Sequence, residues 1–141
     1  MNKTISIRTY VPADYKAVRT LYEIPGIFGG QFDADRDSED RLDEQSTKDS
    51  SSILVAEADG RIVGTVSILA DKRFVWLMRF AATDPRAVDA LCDEAYRILK
   101  ERGHKQVLVY APASDSSFVT RYNSLGFSTG EEYTCFWRKL T

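Results

Sequence analysis

Few side chains in this sequence suit chemistry near neutral pH. His104 is the single histidine, and Cys92 and Cys135 are the two cysteines. That is too few for a zinc site of the usual Cys/His kinds and enough for one disulfide at most. His104 directly follows Gly103, the residue that stops a long helical pattern, which makes it a helix-end residue rather than a base. Arg79 interrupts an otherwise apolar run over 74–82. A buried guanidinium needs a partner, so Arg79 either meets a carboxylate of the protein or binds an anionic group of a ligand. Tyr122 lies four residues after Phe118 and three before Leu125, the spacing of a core tyrosine on the apolar face of a short helix. Residues 33–49 carry eight acidic and three basic side chains, net −5, which leaves +3 for the rest of a chain whose charge is −2. Such a stretch is either a solvated helix face or a negative rim that attracts a cationic substrate.

The elements that must position these groups follow from composition and periodicity. With 141 residues, 43% hydrophobic and 28% charged, one core and a single domain over 1–141 are expected. The near-neutral charge offers no basic field for a nucleic-acid backbone. Residues 1–11 alternate polar and apolar types and carry Lys3 and Arg8, unlike a signal peptide, and no run approaches the roughly 20 apolar residues of a membrane span. A soluble, cytoplasmic protein with reduced thiols is expected, with neither nucleic acid nor membrane as partner.

Ile5 and Ile7 alternate with polar neighbours, predicting a strand over 4–9, and Pro12 suits the start of a helix carrying Tyr15, Val18, Leu21 and Tyr22. Pro25, Gly26, Gly29 and Gly30 surround Ile27 and Phe28 in a loop of the kind that contacts ligand. A weakly packed helix within 33–49, capped by Asp37, comes next. Asp59-Gly60 between two apolar runs predicts a hairpin of 52–58 and 61–70 with a type I′ turn. Residues 74–82 read as a buried fourth strand. Asp84 sits as N-cap and Pro85 as first residue of a helix whose stripe is Val88, Leu91, Cys92, Ala95, Ile98 and Leu99. A buried strand over 106–111 then completes a right-handed βαβ unit. Ser114 or Asp115 caps a short helix ended by Gly126, and 132–140 alternates Tyr133, Cys135 and Trp137 as a last strand. The fold class is a mixed α/β sheet, mostly antiparallel with one parallel βαβ pair and helices on both faces.

This order, with Tyr-Asn-Ser-Leu-Gly-Phe at 122–127 just after the βαβ unit, resembles the GNAT superfamily of acyl-CoA-dependent N-acyltransferases. IRTYVPADYKAV looks like that family's first strand and helix, SILVAEADGRIVGTVSIL like its central hairpin, and RYNSLGF like its Y-x-x-x-G-F motif. The resemblance implies acetyl-CoA as co-substrate, no metal, and direct attack of an amine in a ternary complex. It implies that Tyr122 protonates the departing thiolate. A phenol of pKa about 10 giving its proton to a thiolate whose acid has pKa about 8.5 works uphill by roughly 2 kcal/mol, so the transfer is coupled to bond cleavage. On the cofactor side it implies the backbone of Phe80, Ala81 and Ala82, the helix start at Arg86, Ala87 and Val88, and Asp115 and Phe118 of the short helix. Phe28, Trp76 and Arg79 are expected to wall the substrate side. The acceptor is expected to be a small-molecule or peptide amine, and the protein a monomer or homodimer.

Two departures from the family bear on these expectations. The family's glycine-rich diphosphate loop is replaced by residues 80–91, which contain no glycine. There Asp84 as N-cap occupies amides that an anion needs, while Pro85 has no N–H. Arg86 either offsets this with a bidentate guanidinium or is a plain surface residue. The family's strand-four glutamate is also missing from 74–83, leaving Glu57, Asp71, Asp33 and Asp35 as the carboxylates to consider as base. Neutralising a lysine-like amine at pH 7 costs roughly 4.6 kcal/mol against about 1.4 for an α-amine, which favours low-pKa acceptors. The alternative is a non-catalytic module of the same fold that binds a ligand or protein.

Overall fold

The computed structural model describes residues 4–25 and 32–141. The chain divides into two compact units, Met1–Val109 and Tyr110–Thr141. The first holds an antiparallel sheet of order β1-β2-β3-β4, with β1 Ser6–Thr9, β2 Ile53–Ala58, β3 Arg61–Ala70 and β4 Val75–Ala82. Its helices are α1 Tyr15–Glu23, entered through a single 3-10 turn over Pro12–Asp14, α2 Glu39–Lys48 and α3 Pro85–Glu101. Among the described residues no helix is long and apolar enough to cross a membrane.

The hairpin forms where local chemistry demands it. Asp59 and Gly60 have φ of 52° and 72°, the two positive values that a type I′ turn requires. Side-chain alternation along β2 then sorts the core into two layers. Ile53 and Val55 pack with Val18, Leu21, Tyr22 and Leu42 of α1 and α2. Ala56 points the other way, opposite Gly64 of β3, and there α3 covers the sheet. A Cβ on Gly64 would lie 2.9 Å from Ala87 Cβ and 3.1 Å from Leu91 Cδ1, so glycine lets the first turns of α3 rest on the strand. Helices thus cover both faces, as expected.

Three elements differ from the sequence-based expectation. The cap of α2 is Ser38, whose side chain accepts from Arg41 N, because Asp37 is drawn into a buried ion pair instead. The run 106–111 contributes one parallel bridge, Leu108 to Trp76, with Leu77 N donating to Leu108 O and Leu108 N to Val75 O, both at 2.9 Å. The parallel βαβ pairing is therefore present but short. Residues 132–140 form no strand among the described residues, and Tyr133, Phe136, Trp137 and Leu140 are 85–92% exposed. Alternation makes a segment able to be a strand; a ladder partner makes it one.

In the second unit α4, Ser116–Ser124, is capped by Asp115, whose carboxylate accepts from Ser117 N at 3.0 Å. Both α3 and α4 stop at a left-handed glycine, Gly103 (φ 85°) and Gly126 (φ 95°).

Candidate active site

Strand β4 carries five of the twelve residues expected at the site: Trp76, Arg79, Phe80, Ala81 and Ala82. Register passes from Ser67↔Met78 to Thr65↔Ala81, so Arg79 and Phe80 stand opposite the single residue Val66. This is a β-bulge, and Arg79 takes φ of 53° to make it. For a residue other than glycine that backbone costs about 1–3 kcal/mol and persists because its surroundings impose it. Phe80 and Ala81 turn their side chains into the core, so a ligand would meet them through the backbone alone.

The surroundings of Arg79 are a buried polar cluster. Its Nε donates to Asp37 Oδ1 at 3.0 Å, with the side chains 19% and 5% exposed. Asp37 Oδ2 accepts from Asp33 N at 2.9 Å, Asp37 N donates to Asp33 O at 2.8 Å, and the Asp37 carbonyl accepts the Tyr15 hydroxyl at 2.8 Å. Tyr22 shares a hydrogen bond with Ser67 and feels the charges of both Asp37 and Arg79; burial pushes its phenol well above the ordinary range. Arg79 therefore meets the protein's own carboxylate. Sequence reasoning misses Asp37, Tyr15, Tyr22 and Ser67 as site residues, although a lone arginine in an apolar strand, in a chain with a long acidic stretch, signals that some such partner exists.

Trp76, three residues before Arg79, is half-buried and lines an open cleft of about 670 Å³ with Leu69, Phe74, Gln45 and Lys48. Phe28 lies outside the described residues. Phe32 packs under the Arg19 guanidinium, 4.4 Å from the ring centroid.

At the start of α3, Asp84 behaves as its position predicts. Its Oδ1 accepts from Arg86 N at 2.9 Å and its carbonyl from Ala87 N at 3.0 Å. The Arg86 guanidinium folds back on the same carboxylate, Nη2 to Oδ2 at 2.8 Å and Nε to Oδ1 at 3.2 Å. Ala87 and Val88 are buried against the sheet. The positive end of the helix dipole is thus already matched by a carboxylate, and the arginine that an incoming diphosphate would recruit is paired with it.

Of the carboxylates considered as base, Glu57 is ion-paired to Arg8, and Asp33 and Asp71 accept backbone amides that close turns. Those turn amides hold both aspartates below the usual carboxylate range. Asp35 is exposed.

In the second unit, Tyr122 stacks on Phe118 (centroids 6.4 Å apart, 22° between planes) and meets Phe127 edge-on at 5.6 Å and 86°. Phe127 N donates to Tyr122 O at 3.1 Å and Gly126 N to Asn123 O at 3.1 Å. These are the two bonds of a Schellman helix end, with the aromatic contact between first and last residues that accompanies it. The ring is half-buried, held by its neighbours on both sides.

No protein-family model and no curated protein sequence matches the chain. Solved structures do. The PaiA N-acetyltransferase of Thermoplasma acidophilum, in complex with coenzyme A, superposes with a TM-score of 0.78 at 18% identity, covering 92% of this chain and 93% of its own. Ard1 of Thermoplasma volcanium gives 0.72 at 16% identity over 90% and 84%. The ribosomal-protein-alanine N-acetyltransferase of Brucella melitensis gives 0.68 at 21% identity over 87% and 84%. Agreement of this extent along both chains establishes the architecture: the protein has the GNAT fold.

Proposed function

We propose that the protein is an acetyl-CoA-dependent N-acetyltransferase that moves an acetyl group to a primary amine of a small molecule or peptide, within a single domain over 1–141. The observation that carries this is the near end-to-end likeness, over 92% and 93% of the two chains, to an N-acetyltransferase with coenzyme A bound. Acetyl-CoA supplies the acetyl group as an activated thioester. The backbone of Phe80, Ala81 and Ala82 is the part of the chain suited to orient the thioester arm, since their side chains are largely turned to the core. Trp76 and Arg79 define the acceptor side of β4, and Phe118 and Asp115 support the helix that carries Tyr122. The Tyr122 phenol gives its proton to the leaving sulfur as the C–S bond breaks and the amine nitrogen bonds to carbon. The attacking amine loses a proton to solvent, and the Tyr122 phenolate regains one from solvent, which returns the enzyme to its starting state. With Asp37 neutralised by Arg79 and Glu57 by Arg8, acceptors that are already partly neutral at pH 7 are favoured, α-amines before lysine-like ones.

The start of α3 fits a diphosphate poorly, because Asp84 holds its amides. That one feature favours a second reading, a non-catalytic module of the same fold whose CoA affinity is lost. Calorimetric titration with acetyl-CoA separates the two. Saturable binding below millimolar concentration is expected for the enzyme, and no heat at millimolar concentration would leave the binding module. Asp84→Gly is expected to tighten acetyl-CoA binding, since it frees the amide of Arg86 at a cost of a few tenths of a kcal/mol in helix capping.

A further inference from the structure

The bulge of β4 and the segment ahead of α2 are 42 residues apart in sequence and joined by a buried ion pair. We propose that Asp37 and Arg79 are a positioning pair that fastens residues 33–38 to the bulge and so sets how the acceptor amine is held. This rests on the transferase reading above for the identity of the acceptor side, but the clasp itself is a matter of geometry.

Three observations carry it. First, Arg79 adopts a left-handed backbone inside a strand, a conformation most economically supplied by glycine, yet the position holds an arginine whose Nε reaches Asp37. The strained backbone and the buried ion pair thus fall on one residue. Second, Asp37 closes 33–37 into a ring through two bonds with Asp33, one from the Asp33 amide to its carboxylate and one from its own amide to the Asp33 carbonyl. The Tyr15 hydroxyl on the Asp37 carbonyl ties that ring to α1. One carboxylate therefore holds a loop together with one oxygen and anchors it to the sheet with the other. Third, Arg79 immediately precedes Phe80, Ala81 and Ala82, whose backbone the transferase reading gives to the thioester arm. At about 3.3 Å per strand residue, Arg79 lies within roughly 10 Å of Ala82, the far end of that backbone. A nucleophile must be held to a few tenths of an ångström there, so the position of whatever lies on that face of β4 matters to it.

The pair is also electrically neutral as a unit. Removing the Asp37 charge would leave a guanidinium facing the site of a basic amine, which disfavours the protonated acceptor and shifts its titration downward. Removing the Arg79 charge would leave a buried carboxylate with the opposite effect.

The test uses the full chain, with sisomicin and an alanine-initiated peptide as acceptor probes, since structural neighbours include an aminoglycoside acetyltransferase with sisomicin bound and a ribosomal-protein-alanine acetyltransferase. Asp37→Asn keeps the shape and an acceptor oxygen for Asp33 N. It is expected to raise the amine KM at least tenfold, leave the acetyl-CoA KM within twofold, and move the acidic limb of the pH profile to lower pH. Arg79→Gln is expected to raise the amine KM similarly with the opposite pH shift, and Arg79→Lys, which keeps the charge, to recover most of the loss. An unchanged amine KM, or equal rises in both KM values, would overturn the proposal. Amide hydrogen exchange of Asp33 and Asp37 is the second measurement, expected to quicken at least tenfold in Arg79→Ala, which releases the ring from the sheet, while β2 and β3 stay protected. Should the wild type turn over neither probe and bind no acetyl-CoA, the transferase reading fails and the acceptor role falls with it. Exchange then decides the clasp alone, and unaltered rates at 33–38 would overturn it.

Discussion

The ends of α3 and α4 are the same structure built twice. Gly103 N donates to Lys100 O and His104 N to Leu99 O, each at 3.0 Å; Gly126 N donates to Asn123 O and Phe127 N to Tyr122 O, each at 3.1 Å. Leu99 and Tyr122 occupy one position of this motif, and His104 and Phe127 another. Leu99 is buried against the sheet, whereas Tyr122 is half-buried between two rings of its own unit. The comparison shows what the spacing Y-x-x-x-G-F contains. Its glycine and phenylalanine satisfy a helix stop, as glycine does at the end of α3 with no chemistry attached. The part of the motif that the helix stop does not use, and to which the proposed function gives the proton transfer, is the hydroxyl of Tyr122.

Substitutions at matching positions break the comparison in order of size. Leu99→Ala should lower stability by about 2–5 kcal/mol, because it opens a cavity under α3, and urea denaturation measures it. Tyr122→Phe keeps the stacked ring and the backbone motif. It should cost about a hundredfold in kcat, roughly 2.7 kcal/mol in barrier, while the melting temperature and acetyl-CoA affinity stay at wild-type values. A fully active variant would return Tyr122 to the purely structural role that its counterpart Leu99 has. Gly103→Ala and Gly126→Ala should each destabilise by roughly 1–2 kcal/mol and by equal amounts, since an added Cβ meets nothing within 4 Å at either site and only the left-handed backbone penalises it. Unequal losses would show that one end carries strain the other lacks.

The smallest effect separates the two ends by pH. The cap residue of α3, Arg102, holds Asp49 through bonds of 2.8 and 3.0 Å, whereas the cap of α4 is Leu125. Arg102 holds the Asp49 carboxyl below the usual range. A carboxyl lowered by folding stabilises fully above its unfolded pKa of about 3.9 and loses that contribution as pH falls through the lower folded value. Both partners are over a third exposed, so the loss should stay under about 1 kcal/mol. The protection factors of the Gly103 and His104 amides, taken against the intrinsic exchange rate at each pH, should therefore fall below about pH 4, with those of Gly126 and Phe127 unaffected by this pair.

What was legible in the sequence was local. The Asp59-Gly60 turn, the Asp84 cap and both glycine stops depend on residues within a few positions of one another and appear where the sequence puts them, and of the two candidates Ser114 and Asp115 the second caps α4. The Asp37–Arg79 pair was half legible. Arg79 announced that it needed a carboxylate, but choosing among the acidic residues of 33–49 requires the sheet register and the packing of α1, which are set by contacts far apart in the chain. Asp37 reads as a cap in the sequence for the same reason: capping is a local bond, and a buried partner elsewhere outcompetes it. The strand pattern of 132–140 failed in the opposite direction, because alternation describes one strand and says nothing of its neighbour.

Gly64 also divides the start of α3 into a seat and a mouth. Its contact with Ala87 and Leu91 lies on the sheet-facing side of α3, while Asp84 and Arg86 sit at the mouth of the same helix. The anchor and the mouth are separate parts. Exchange of residues 84–86 for a glycine-rich turn is therefore expected to spare the contact of Ala87 and Leu91 with Gly64. That separability makes this corner a ready platform for engineering, in which anion affinity can be tuned at the mouth while the scaffold behind it stays fixed.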